Sequence, residues 1–273
     1  MKKILLLCLS FLFAFLGSFC QDDDRIRIAD SISAEGRRLY ESEMCSWYGT
    51  DVFMEKFKAE AENIQGYFSY KDNDAYRCVF FSKGEKPMTL GTITFRSSYD
   101  PKTAETDGTR RPLTEKEMEY YTIRQATMDE INTDTALFLH YNGTNFNLVP
   151  LVDGETKKVY VLTGTSRSDI VIIGNDYLLT FDKTNKLLSK KRLHANIIGM
   201  KTKQEDPGEG KTAMGNVHNH IPETGDYMTA TDVCTFLLFA RFTNWKQQMV
   251  ISGKYMSIWN CETENLLIVP TGR

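Results

Sequence analysis

Apolar positions recur with two different periods along this chain, and the change of period predicts helices followed by strands. From residue 28 to residue 64 the apolar residues have a helical spacing, with a break expected near residues 48–51. Apolar and polar residues then alternate in short runs bounded by turn residues, which predicts a β-meander. The predicted strands of the meander are residues 66–70, 76–81 and 88–95.

A polar segment, residues 97–111, follows the meander and leads to a second helix. Thr114 and Glu117 have the spacing of a capping box, in which each side chain binds an otherwise unpaired amide of the first turn. The helix is predicted to run from there to about residue 131. One face of it is predicted to carry Tyr120, Ile123, Thr127 and Ile131.

Beyond this helix the alternation is typical of successive hairpins. Asn142-Gly143 is a strong turn signal, and it predicts a hairpin between residues 136–141 and 146–151. The charged stretch 201–211, which contains glycines, predicts a surface loop. Further strands are predicted at residues 158–162, 169–173, 177–181, 187–193, 212–220, 248–252 and 255–259.

These elements predict an α+β fold, with a mixed, largely antiparallel sheet packed against a few helices. The polar segment 97–111 is the candidate domain boundary. It separates N-terminal helices and a β-meander, residues 21–111, from an α+β domain, residues 112–273. One continuous domain over both regions is the alternative interpretation.

The N-terminus predicts export. Lys2 and Lys3 precede an apolar run, residues 4–16, and small residues follow it, so residues 1–20 have the features of a bacterial secretory signal peptide. The apolar run is too short for a membrane span. The protein is therefore expected to be periplasmic or secreted. The alternative is a lipid anchor on Cys20, which would make it an outer-membrane lipoprotein.

Charge and cysteine content exclude two classes of function. Removing Lys2 and Lys3 from the 33 basic residues leaves 31 against 36 acidic ones, so a basic face for nucleic acid is not expected. Four cysteines remain after the signal peptide, and none belongs to a Cys-x-x-Cys pair. A thiolate zinc site or redox motif is therefore not expected, whereas a disulfide is permitted.

The histidines carry the candidate chemistry. His218 and His220 are two positions apart in a predicted strand, so both imidazoles lie on one face. Asp232 opens an apolar, helical run a short distance later. Two neutral imidazoles and a carboxylate form a three-ligand set for Zn²⁺ that leaves one tetrahedral position for water.

This segment resembles the motif of the JAB/MPN (JAMM) metalloproteases. Gly215 precedes the His-x-His pair, and Thr229 with Asp232 matches the Ser/Thr-x-x-Asp that follows a short loop. The resemblance covers about residues 212–260 and implies a JAB/MPN-like C-terminal part. It implies zinc bound by His218, His220 and Asp232, with Thr229 in place of the serine that assists the oxyanion.

The same resemblance implies an upstream glutamate that activates water. The spacing does not identify it, but Glu130 lies at the matching place in the order of elements, before the predicted strand 136–141. Two departures from the motif are Ile221, where the family has proline, and a loop before Thr229 that is one residue longer.

The histidine pair and the Thr229-x-x-Asp232 pattern also have explanations that involve no function. The histidine pair is also consistent with two ordinary strand histidines, and Thr229 with Asp232 is also a helix-start signature. His194 is predicted to be an exposed histidine at a strand end, with an outer ligand as the alternative, and His140 is expected to be structural.

Two functional hypotheses follow. The first is an exported zinc hydrolase that cleaves a peptide or isopeptide bond in a peptide or protein partner. The second is a non-catalytic secreted or envelope binding protein on a degenerate JAB/MPN-like scaffold, with or without metal.

Overall fold

The protein has an α+β fold, and its described residues form three α-helices and fourteen strands. The computed structural model describes the backbone of residues 2–202 and 215–272, and the side chains of residues 23–202 and 215–272. The helices are α1 (Lys2–Lys56), α2 (Glu115–Thr133) and α3 (Ala230–Phe239). The strands are β1 (Ile64–Asp72), β2 (Ala75–Ser82), β3 (Thr89–Phe95), β4 (Glu105–Asp107), β5 (Thr144–Asp153), β6 (Thr156–Thr165), β7 (Ile170–Gly174), β8 (Tyr177–Phe181), β9 (Leu187–Arg192), β10 (Ile197–Lys201), β11 (Gly215–Asn219), β12 (Gln247–Ile251), β13 (Tyr255–Asn260) and β14 (Asn265–Pro270).

The strands form three four-stranded sheets and one two-stranded ribbon within the described residues. The first sheet is the predicted meander, in the order β1-β2-β3-β4, and the second has the order β5-β6-β8-β9. The ribbon pairs β7 with β10, and the third sheet has the order β11-β12-β13-β14. The pairs are antiparallel except for β11 and β12, which are parallel and are joined through α3.

The predicted break in the first helix is wrong. Helix α1 continues through residues 48–51, and the Thr50 hydroxyl donates to the Ser46 carbonyl inside it. Gly49 is instead a point of close approach, because a Cβ there would lie 2.7 Å from the Cβ of Cys78 on β2. The glycine thus lets the meander pack directly on the helix.

The predicted strand 136–141 is also wrong. The amides of Leu137 and Phe138 both donate to the Asp134 carbonyl, so the chain turns immediately after α2. Phe138 enters the core from this turn and is 1% exposed. The turn at Asn142-Gly143 exists, but β5 pairs with β6 around Gly154, which adopts a positive φ of 57°.

Helix α2 and the strands 177–181 and 187–193 agree closely with prediction. The capping box of Thr114 and Glu117 is present, and the four residues predicted for one face of α2 are buried. Strands β4, β10 and β14 were not predicted, and β4 lies within the predicted polar segment 97–111. The predicted loop 201–211 and the start of the predicted strand 212–220 lie mostly outside the described residues.

Helices α1 and α3 cross at close range near the candidate site. A Cβ on Gly36 would lie 2.6 Å from the Cβ of Val233, so only glycine allows α3 to approach α1 at this point. A separate apolar cluster joins Phe68 of the meander to Tyr120 of α2, on the other side of the polar segment 97–111. The position of a domain boundary in this segment stays a prediction.

Several predictions about the N-terminus and the cysteines can be compared with the described part. Cys45, Cys78, Cys234 and Cys261 are all unbridged. No helix among the described residues is long and apolar enough to cross a membrane. The side chains of the predicted signal peptide, Cys20 included, lie outside the described residues.

Candidate metal centre

Four side chains from three separate segments meet in one buried cluster. His194 follows β9, His218 lies near the end of β11 and His220 directly after it, and Asp232 lies in the first turn of α3. One nitrogen of each imidazole and one oxygen of the carboxylate all lie within 4.8 Å of one another. This cluster could hold a metal ion.

Strand β11 presents its histidines as the alternation predicts. His218 and His220 lie inward, whereas the intervening Asn219 is exposed. Gly215 explains how β11 reaches its partner, since a Cβ there would lie 1.7 Å from the Gln247 carbonyl oxygen of β12. No other residue fits at this position without moving the strand that carries both imidazoles.

The start of α3 fixes Asp232. Thr229 is the N-cap residue, and its side chain accepts a hydrogen bond from the Asp232 amide at 3.1 Å. In return, Asp232 Oδ2 accepts from the Thr229 amide at 2.8 Å and from the Thr229 hydroxyl at 2.8 Å. This capping box occupies one carboxylate oxygen and directs the other, Oδ1, at the histidines.

His194 reaches the cluster because two loops lie side by side. The Leu193 amide donates to the Asp176 carbonyl, and the Asn175 amide donates to the Asn196 carbonyl. Gly174 has a φ of 91°, and a Cβ there would lie 2.2 Å from the Asn196 carbonyl oxygen. The β7–β8 loop and the segment after β9 can therefore pack this closely only with glycine at this position.

The distances inside the cluster centre on Asp232. Its Oδ1 lies 3.0 Å from His194 Nε2 and 3.5 Å from His218 Nε2. Its Oδ2 lies 3.9 Å from His220 Nε2. The ring centroids of the three imidazoles are separated by 5.0 to 5.9 Å, with the shortest distance between His194 and His220.

A second buried carboxylate lies behind His194. Asp176 Oδ2 is 3.6 Å from His194 Nδ1, on the side of the ring away from Asp232. Asp176 Oδ1 accepts from the Thr163 amide at 2.9 Å. At 3.6 Å this contact is an ion pair and not a hydrogen bond, and a carboxylate placed behind an imidazole raises its basicity and can orient the ring.

The pKa of His194 is shifted in the opposite direction to the pKa values of His218 and His220. Burial lowers the pKa of His218, and it lowers the pKa of His220 to about 4. Burial would also lower the pKa of His194, but the carboxylates of Asp232 and Asp176 outweigh it and raise that pKa. His218 and His220 are thus neutral at pH 7, as metal ligands must be.

The two carboxylates behave differently. Burial alone would raise the pKa of Asp232, but the imidazoles around it, His194 first, hold that pKa well below its ordinary value. Burial raises the pKa of Asp176 to about 6, although His194 and the Thr163 amide partly oppose the rise. Asp232 is therefore ionised and available as an anionic ligand.

The hydrogen-bonding pattern fits a cation at the centre. His220 Nδ1 lies 2.9 Å from the Tyr227 carbonyl oxygen, which only accepts, so the proton is on Nδ1 and the lone pair is on Nε2. The buried Nε2 atoms of His218 and His220 have no hydrogen-bond partner among the described residues. A buried lone pair on His220 Nε2 that lies 3.9 Å from a carboxylate oxygen, beside a second unbonded Nε2 on His218, would be unfavourable unless something positive lies between them.

The predicted ligands His218, His220 and Asp232 are thus brought together. Thr229 lies beside Asp232 with its hydroxyl engaged in the capping box, so its role as an oxyanion donor stays a prediction. Glu130 is not one of the four clustered residues, and its carboxylate pairs with Lys190 Nζ at 2.6 Å. The structure therefore does not bring the predicted general base to the cluster.

Sequence reasoning misjudged His194 and did not single out Asp176. His194 is 4% exposed, in contrast to the exposed strand-end position predicted for it. One signal was present: Gly174-Asn175-Asp176 is a turn in which two residues adopt positive φ, and such a turn can approach another loop closely. Only the pairing of β7 with β10 shows that the other loop carries His194.

Comparisons with known proteins identify no relative of this chain. A scan of protein-family models, a search of curated proteins and a search of solved structures each found no match. The resemblance to JAB/MPN metalloproteases therefore stands on the motif residues alone.

Proposed function

We propose that the protein is exported and binds one zinc ion through His194, His218, His220 and Asp232. The observation that carries the proposal is that these four donor groups meet in a buried cluster in which the Nε2 atoms of His218 and His220 have no hydrogen bond. Imidazole and carboxylate donors suit Zn²⁺, which prefers four tetrahedral ligands in protein sites.

Four protein ligands favour a binding role over hydrolysis. A tetrahedral site that is filled by side chains has no position for water, whereas hydrolytic zinc sites keep one position open. Bound zinc supplies a nucleophile only by lowering the pKa of a water in such a position. The placement of Glu130 with Lys190 points the same way, because a hydrolase also needs a base near that water.

A zinc-dependent peptide or isopeptide hydrolase is the second candidate. It is favoured by the order of parts around the cluster: a strand carrying His218 and His220, then a helix that begins with Thr229 and Asp232. In this case three residues bind zinc and His194 does not. The hydrogen-bond distance of 3.0 Å between His194 and Asp232 is compatible with both coordination sets.

Metal content and a His194→Ala variant test the proposal and separate the candidates. The purified protein should hold close to one equivalent of zinc by elemental analysis, and less than about a tenth of an equivalent would sink both candidates. The closed site predicts that His194→Ala loses about 100-fold or more in zinc affinity, as expected for one ligand of four.

His140→Ala is the matched control, because this histidine packs on Phe146 at a ring distance of 4.7 Å and is not in the cluster. When Co²⁺ replaces zinc in both proteins, the visible spectra of the parent and of His194→Ala should differ if His194 is a ligand. Identical spectra, together with cleavage of a peptide or isopeptide library by the parent, would support the hydrolase instead.

A further inference from the structure

A second site lies away from the histidine cluster. It is a pocket of about 750 Å³ between α1, the strands β5–β7 and the C-terminal half of α3. Pockets of roughly 300–1,000 Å³ accommodate small organic ligands. None of the four clustered residues lines it, so it is independent of the proposed metal site.

One end of the pocket is polar. Tyr67 donates through its hydroxyl to Asn147 Oδ1 at 3.3 Å, and Asn147 Nδ2 donates to Glu43 Oε2 at 2.5 Å. The two hydrogen bonds form a series, Tyr67 to Asn147 to Glu43, in which the Glu43 carboxyl is the last acceptor. Within the described residues, Glu43 makes no other hydrogen bond and no ion pair with a Lys or Arg.

The other end of the pocket is aromatic. The Trp47 ring lies 6.1 Å from the Phe242 ring in a stacked arrangement and 6.2 Å from the Phe239 ring. Trp47 is 41% exposed and Phe242 is 46% exposed, so these rings form the mouth. Trp47 follows Glu43 by about one turn of α1, which separates their Cα atoms by about 6 Å along the helix axis.

The charges around the pocket favour a cation at the Glu43 end. Glu43 and Asp51 are the acidic residues of the lining, and Arg167 is the basic one. Arg167 is already paired with Asp169 at 2.8 Å, which leaves an excess of negative charge. Glu43 is half-buried and has no cationic partner among the described residues, so a ligand that supplies an ammonium group can form a charge-assisted hydrogen bond with it.

We propose that this pocket binds a small organic amine, with its ammonium group at Glu43 and its aromatic or aliphatic body against Trp47, Phe239 and Phe242. Arg241 sets the orientation, since its guanidinium lies 4.6 Å from the Phe242 ring centroid and would repel an ammonium at the mouth. The interior end, at Glu43, is then the favourable position for the positive charge.

The affinity of the pocket for an amine should depend on pH, because the ammonium group needs an ionised Glu43. Burial raises the pKa of Glu43 to about 7, although the hydrogen bond from Asn147 opposes the rise. Tyr67 of β1, Cys78 of β2 and Cys234 of α3 also interact electrostatically with Glu43, and burial raises the pKa of each. None of these three groups changes charge between pH 6 and 8, so Glu43 alone governs the effect of pH.

The test compares 2-phenylethylamine with 2-phenylethanol, which has nearly the same shape and no charge. By ligand-observed NMR at pH 8, the amine should bind with a dissociation constant of about 1 mM or tighter. The alcohol should bind about tenfold more weakly, as expected for a lost charge-assisted hydrogen bond. Lowering the pH to 6 should weaken amine binding about tenfold and leave alcohol binding unchanged.

Glu43→Gln is the decisive variant, and Phe242→Ala is its control. Glu43→Gln should bring the amine down to the affinity of the alcohol, whereas Phe242→Ala at the exposed mouth should weaken both probes to the same extent. Trp47 fluorescence should respond to the amine and the response should disappear in Trp47→Phe.

Two results would overturn the proposal. One is the absence of saturable amine binding up to about 10 mM at pH 8, well beyond the expected dissociation constant. The other is amine binding that Glu43→Gln leaves unchanged while the variant keeps the thermal stability of the parent.

Discussion

Asp232 and Glu43 are both acidic side chains near α3, yet their pKa values move in opposite directions. Burial would raise both, but three imidazoles surround Asp232 and hold its pKa low, whereas Glu43 has only the Asn147 amide and its pKa rises to about 7. The partners, and not the burial, decide which carboxyl is ionised. Asp232, which stays ionised, suits a metal, whereas Glu43 is only partly ionised near pH 7 and would be held ionised by a cationic ligand.

The largest effect should come from the ionised carboxylate. Asp232→Asn should weaken zinc binding about 100- to 1,000-fold, if four ligands share roughly equally the 10–16 kcal/mol typical of a structural zinc site. Competition with a chromophoric chelator measures it. Asp169→Asn, at an exposed ion pair, makes the same charge change and should have no effect. A zinc affinity that Asp232→Asn leaves within threefold of the parent would remove Asp232 from the ligand set.

A smaller effect should come from the carboxylate behind His194. Asp176→Asn should lower zinc affinity about 10- to 100-fold, because the imidazole loses the group that orients it. The same chelator competition measures it, again beside Asp169→Asn. Since Asp176 lies 3.6 Å from His194 Nδ1, the loss should vanish in a His194→Ala background. Additive losses in the double variant would show that Asp176 acts on something other than His194.

The carboxyl of Glu43 should make the stability of the protein depend on pH. Glu43 has an ordinary pKa of 4.5 and a folded pKa of about 7, so the folded state binds its proton more tightly. Its contribution to stability is therefore present below about pH 4.5 and is lost as the pH rises to about 7. Glu43→Gln has no such loss and should gain about 1–2 kcal/mol over the parent between pH 5 and pH 8, after allowance for partial exposure.

Urea unfolding at both pH values measures this difference. Glu85→Gln is the control, since Glu85 is exposed and the substitution removes the same charge from the surface. Equal pH dependence in the parent and Glu43→Gln would contradict the raised pKa, and with it the contrast between the two carboxyls.

The smallest effect should come from the cap that holds Asp232. Thr229→Ala should cost about 1 kcal/mol of stability, the usual value of an N-cap side chain. Thr114→Ala removes the equivalent cap from α2, where Glu117 takes the place of Asp232. Both variants should lose similar stability by thermal denaturation, but only Thr229→Ala should also weaken zinc binding. A zinc affinity unchanged in Thr229→Ala would show that the histidines alone position Asp232.

The parts of the site that depend on local spacing were predictable from the sequence. The strand period places His218 and His220 on one face, and the capping box places Asp232 in the first turn of α3. His194 depends instead on the pairing of β7 with β10 and of β8 with β9, which no local pattern specifies. The pocket at Glu43 draws on both ends of the chain and left no signal in the sequence.

The errors in the fold have the same physical origin. Residues 136–141 alternate like a strand, but the alternation reflects Phe138 entering the core from a turn. Gly49 was interpreted as a break in α1, whereas it permits a contact with Cys78 on β2. In both cases the residue type is explained by a tertiary contact, which the local sequence pattern does not reveal.

The parallel pairing of β11 with β12 sets a time order for assembly. Among the described residues, β12 is the strand hydrogen-bonded to β11, and it follows His220 by 27 or more residues along the chain. During synthesis, all four candidate ligands therefore emerge before the strand that pairs with β11. Metal capture would accordingly follow the synthesis of β12, and a chain truncated before residue 247 would carry every candidate ligand but lack the strand that holds β11 in place.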